Sequence, residues 1–76
     1  MGKITAVIPG DDYRLTVCLD NNNAVTIGLK KKLFTIRFSE LRDEEVFRAA
    51  ATDGKSVYWP GGLSIDIGEI LEIALK

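Results

Sequence analysis

Histidine is missing from these 76 residues, cysteine occurs once, and basic and acidic side chains nearly cancel at a net charge of -1. Each shortage closes a route. Without histidine or a second thiol there is no zinc-type ligand set, and no internal disulfide can form from Cys18 alone. The same lack removes the usual general base for a nucleophilic hydroxyl or thiol. A balanced charge gives no overall field to draw nucleic acid or anionic lipid. No stretch approaches the roughly 18 apolar residues of a membrane span. The first residues lead straight into an alternating segment rather than the apolar run of a signal peptide, so the expected setting is the cytoplasm, where an isolated thiol stays reduced.

What remains describes one domain over residues 1–76 with a single core. A chain this short hides roughly 60% of the surface that its unfolded form exposes. Disulfides and metals being excluded as extra support, self-association is the aid left, and a homo-oligomer is the expectation. Charge is uneven along the chain, with a net +3 over residues 1–37 and -4 over residues 38–76. The two halves either interleave in space or present complementary patches for a head-to-tail contact, and interleaving is the preferred outcome.

Hydrophobic periodicity predicts an α+β fold: a small antiparallel sheet made of a β-meander and a second hairpin, with a short middle helix and a C-terminal helix packed on it. Ile4–Ile8 reads as a strand stopped by Pro9-Gly10. In Tyr13–Leu19, Tyr13, Leu15, Val17 and Leu19 fall on one face, with Arg14, Thr16 and Cys18 on the other. Asn21–Asn23 reverse the chain into Ala24–Leu29. Leu33–Phe38 reads as an extended crossing segment because Phe34, Ile36 and Phe38 alternate. Ser39 and Asp43 are both candidate N-caps of a helix near 40–48, with Leu41, Val46 and Phe47 turned to the sheet. Asp53-Gly54 predicts a two-residue hairpin turn, preferred over a helix prolonged through Ala49–Ala51. Pro60-Gly61-Gly62 ends its second arm. Asp66 and Glu69 have capping-box spacing for a terminal helix in which Glu69, Glu72 and Lys76 form a narrow polar stripe. Ile73 and Leu75 widen its apolar face beyond one sheet contact.

The pattern Tyr13-x-Leu15-x-Val17-x-Leu19, then Leu41-Arg42-Asp43 with Phe47, and finally Val57-x-Trp59-Pro60 with Gly62, resembles the prokaryotic Domain of Unknown Function 2442 family. The likeness runs through nearly the whole chain, and Trp-Pro-x-Gly before a terminal helix is its most specific element. Asn21–Asn23 stand where relatives tend to carry a glycine, and Ser64 where they often have Asp. The resemblance implies a compact α+β domain without known activity, found alone or fused to a helix-turn-helix module. It also implies a small protein partner, because members are often encoded beside another small protein in the manner of toxin and antitoxin pairs.

No catalytic set emerges. Cys18 shares a strand face with Arg14, which would favour a reactive thiolate, but cover by a helix or a partner is the preferred reading. Asp11-Asp12 and Glu44-Glu45 diverge as neighbours, and capping accounts for Asp66 and Glu69. No cofactor is expected, and Pro60-Gly61-Gly62 lacks the residues of a phosphate loop. Two surfaces stand out. Tyr58 and Trp59 must point to opposite faces of a strand, so one of them looks away from the main core; cover by the terminal helix is the preferred reading, and with Ile73 and Leu75 the pair is the candidate protein interface. Lys30, Lys31, Lys32 and Arg37, near Phe34 and Phe38, form the candidate nucleic-acid contact of the alternative reading, an accessory domain in transcriptional control.

Overall fold

The structure, a computed structural model, describes residues 3–75, so Lys76 of the polar stripe lies outside the described residues. Strands β1 (Ile4–Pro9), β2 (Arg14–Leu19) and β3 (Ala24–Gly28) form an antiparallel sheet in the order β1-β2-β3. The alternation read from sequence sets its register. Leu15 lies across from Ile27 and Val17 across from Val25, so their side chains leave the same face toward the core. On the other face the Thr16 and Thr26 hydroxyls share a hydrogen bond of 3.0 Å. Asn22 takes a positive φ of 66° while the Asn21 side chain accepts the Asn23 N–H, which closes the β2–β3 hairpin. Asparagine tolerates this left-handed backbone because its short amide bonds locally.

Two short helices and a second sheet complete the chain. The helix expected near 40–48 is broken in two: a 3-10 turn at Ser39–Arg42 and then α1 (Glu44–Arg48). Asp43 is the cap, accepting the Glu45 N–H at 3.0 Å, whereas the Ser39 hydroxyl donates backward to the Ile36 carbonyl. Ala49 ends α1 and Ala51 begins β4 (Ala51–Thr52), so the alanines do not prolong the helix. β4, β5 (Ser56–Tyr58) and β6 (Ser64–Asp66) form the second antiparallel sheet, in that order. Helix α2 (Ile67–Leu75) follows at once, with Asp66 Oδ1 accepting the Glu69 N–H at 2.8 Å as expected of an N-cap. The sheets meet where the Ile4 N–H donates to the Gly54 carbonyl at 2.9 Å.

The turn between β4 and β5 is not the two-residue hairpin that Asp53-Gly54 predicts. Thr52 pairs with Val57, so four residues separate the paired positions, three of them, Asp53–Lys55, lying between the strands, and Gly54 alone takes a positive φ there. The side chain of Asp53 explains the longer loop. Its Oδ1 accepts the N–H of Lys55 and of Ser56, both at 2.9 Å, an arrangement that wraps the loop around one carboxylate. These backbone donors, Lys55 first, hold the Asp53 carboxyl below its ordinary value of 3.8. With the folded pKa depressed, the loop's contribution to stability is fully present above pH 3.8 and is lost as pH falls through the lower folded value. Asp53→Asn keeps an acceptor oxygen but cannot ionise. Its Tm is therefore expected to fall less steeply than that of the wild type between pH 5 and pH 2, and parallel profiles would show that the carboxylate charge has no part in the loop.

The core gathers Leu15, Val17, Ile27, Leu29, Leu41, Phe47, Val57, Trp59, Ile65 and Ile70 from both sheets and both helices. The segment read as extended across 33–38 departs from expectation. It opens with a 3-10 turn at Lys30–Phe34 and continues as irregular chain, burying Leu33 and Phe38 while turning Phe34 and Ile36 outward. Alternation would have placed Phe34 and Phe38 on one side. The turn, fixed by the Thr35 N–H and hydroxyl both donating to the Lys32 carbonyl, rotates the faces apart.

Candidate interaction surface

The loop between β3 and α1 is held from several directions. Leu33 and Phe38 sink into the core on either side of its tip. Arg42 Nε donates to the Leu33 carbonyl at 2.8 Å, and the guanidinium lies 5.5 Å from the centroid of the Phe34 ring. Beyond the tip, the Ser39 N–H and hydroxyl both return to the Ile36 carbonyl. Arg37 grips Glu69 of α2 through both of its terminal nitrogens and donates to the Ser64 carbonyl at 2.9 Å. The hydrogen bond that Arg37 donates to the Glu69 carboxylate raises the Arg37 pKa, reinforcing a charge that is already permanent. Between these ties Phe34 and Ile36 stand 80% and 95% exposed. Bulky apolar side chains on a restrained loop pay little ordering entropy when a surface covers them.

Beside the loop, two hollows flank α2. One, of about 380 Å³, is an apolar groove between the first sheet and the start of α2, lined by Val17, Leu19, Val25, Ile67, Ile70 and Leu71 among others. Its upper lip is Leu71, 44% exposed. The other, of about 580 Å³, lies at the far end of the helix, where Ile73 and Ala74 meet Lys31, Lys32 and Thr35.

The candidate protein interface is divided by this geometry. Trp59 is not part of a surface: it is 2% exposed, and its indole Nε1 donates to the Phe47 carbonyl at 3.0 Å. Tyr58 points the opposite way, 43% exposed, as neighbours on a strand must. Ile73 packs partly against the core, whereas Leu75 is 87% exposed. Tyr58 lines neither hollow beside α2, so it does not join Ile73.

The basic cluster divides as well. Lys30 pairs with Asp12 at 3.0 Å, and Arg37 is occupied by Glu69. Lys31 and Lys32 make no ion pair among the described residues. Glu69 thus does not complete a reciprocal capping box; Asp66 caps α2 while the Glu69 carboxylate turns to Arg37. Cys18 is half-buried on β2. It lies four steps along the strand from Arg14, about 13 Å between backbones, more than a screening length at physiological salt.

Ile8, Ile36 and Leu71 are surface residues that sequence reasoning missed, and Phe34 was read only as a neighbour of the basic cluster. An excess of bulky apolar positions within Leu33–Phe38 was the available signal, since one short segment carries four of them. No protein-family model, curated protein or solved structure matches this chain.

Proposed function

We propose that this domain is a non-enzymatic interaction module that self-associates and binds a small protein partner in an antitoxin-like pair. The observation that carries the reading is the restrained loop with Phe34 and Ile36 almost wholly exposed. Exposed apolar groups clustered on an ordered surface are characteristic of interaction sites, and aromatic anchors dominate binding energy. The side chains that a hydrolytic reading would recruit have structural duties instead: Asp66 caps a helix and Glu69 holds Arg37. The resemblance to the Domain of Unknown Function 2442 family supports the small-protein partner. Contact with nucleic acid through Lys30, Lys31, Lys32 and Arg37 is the weaker reading, because Asp12 and Glu69 already neutralise two of the four. Sedimentation of the purified protein from 5 to 500 µM, with and without captured partner, tests the proposal. Association of either kind is expected. A strict monomer that recovers no stoichiometric protein overturns it.

A further inference from the structure

We propose that the occupant of the apolar groove is the Phe34–Ile36 loop of a second copy, exchanged reciprocally in a twofold dimer. This rests on the self-association reading above and says which surfaces carry it. The groove, at about 380 Å³, is more than twice the roughly 150 Å³ that accommodates a benzene-sized ring in a dry apolar cavity, so an aromatic and an aliphatic side chain can enter together.

Charge favours the pairing. Gly68 lines the groove, and the Asp66 carboxylate lies beside it, 3.4 Å from where a Cβ would stand. Glu72 sits one helical turn beyond Gly68 on the same side of α2, and Asp20 precedes Asn21 at the other lip. The rim is net acidic even with Lys3 beside Asp20. Around the loop the balance is reversed: Arg42 lies over Phe34, and Lys31 and Lys32 stand next to Thr35. A cationic projection with apolar tips therefore faces an acidic rim around an apolar floor.

Placement favours a closed pair. The base of the loop meets the Ile73–Ala74 end of α2 and Arg37 beside its tip is held to Glu69 in the first turn, so the loop lies alongside the same helix whose start, Ile67–Leu71, walls the groove. A twofold pair in which each loop enters the other's groove covers Phe34, Ile36 and Leu71 together. A reciprocal contact of this kind closes on itself, whereas a one-way contact would propagate into chains.

Sedimentation equilibrium on the full chain decides the matter with two variants, Phe34→Ser/Ile36→Ser and Leu71→Glu, each checked by circular dichroism. Each alone is expected to raise the dimer Kd at least about a hundredfold. Mixed, they are expected to form a heterodimer tighter than either homodimer, because one intact loop meets one intact groove. Lys31→Glu/Lys32→Glu, one change at an exposed and one at a half-buried position, both outside the core, is expected to weaken the dimer and remove most of its salt dependence. A wild type that dimerises while all three variants dimerise equally well overturns the exchanged-loop geometry and leaves self-association standing. Variants that weaken association without complementing one another overturn the geometry as well. A wild type that is monomeric to 500 µM overturns both, and a monomer that binds another protein through Phe34 and Ile36 overturns the second copy as occupant.

Discussion

Trp59→Ala is expected to pull the urea midpoint of unfolding far below that of the wild type at 25 °C. The indole is the join between the second sheet and α1: its ring is buried, Nε1 donates to the Phe47 carbonyl at 3.0 Å, and its backbone N–H donates to the Leu63 carbonyl at 2.9 Å. Truncating a buried aromatic to alanine costs about 3–5 kcal/mol, since the cavity collapses only in part. A domain of this length holds roughly 4–11 kcal/mol in total, so the loss removes a large share of it. Trp59→Phe separates packing from hydrogen bonding. Most of the bulk stays, the Phe47 carbonyl loses its indole donor but keeps the longer one from the Ala50 N–H at 3.3 Å, and the cost is about 1 kcal/mol. Urea titrations followed by far-ultraviolet circular dichroism measure both, since fluorescence disappears with the residue. An alanine variant whose midpoint matches the wild type would show that this join is dispensable.

The first sheet was legible because two independent signals agree there. Polar and apolar residues alternate over Leu15–Leu19 and Val25–Ile27, and Asn21–Asn23 supply the residues that a reversal needs. Tyr58 and Trp59 were legible by half. Adjacency on a strand demands opposite faces, but which one turns inward depends on where α1 lies, and no local pattern encodes that. The 33–38 segment misleads for a sharper reason. Its turn is made by carbonyls of Lys32 and Ile36 accepting from Thr35 and Ser39, with no glycine or proline to mark it, so alternation reads through a corner. Strand β6 borrows its extended shape from pairing with β5, and its three residues are too few for their polar–apolar–polar alternation to signal a strand. Glu69 sits at a position that two roles compete for. Spacing from Asp66 suggested a capping box, and a partner 32 residues away took the carboxylate.

Tyr13 shows the same contest between local preference and distant contacts, and it predicts an unusual order of variant stabilities. Read as the start of a strand, it instead ends the turn Asp11–Tyr13 with a φ of 59°, a left-handed backbone that bulky residues avoid. Such a conformation costs roughly 1–2 kcal/mol, which the side chain offsets. Its ring lies 5.1 Å from that of Phe47, tilted by 59°, and its hydroxyl donates to the Arg42 carbonyl at 2.6 Å. The Tyr13 carbonyl also receives the Leu29 N–H, which pins the strained residue to the end of β3. Removing only the hydroxyl, Tyr13→Phe is expected to cost about 1 kcal/mol. Tyr13→Ala loses the ring pair and the partial burial while keeping the strain, for a total of roughly 3 kcal/mol. Tyr13→Gly loses the same contacts but relieves the backbone, which outweighs the roughly 0.5–1 kcal/mol that glycine costs through its freer unfolded chain. Urea midpoints should therefore rank Phe above Gly and Gly at or above Ala, inverting the usual preference for alanine. If alanine proves clearly the more stable of the two, the left-handed backbone at Tyr13 carries no strain for the ring contacts to offset.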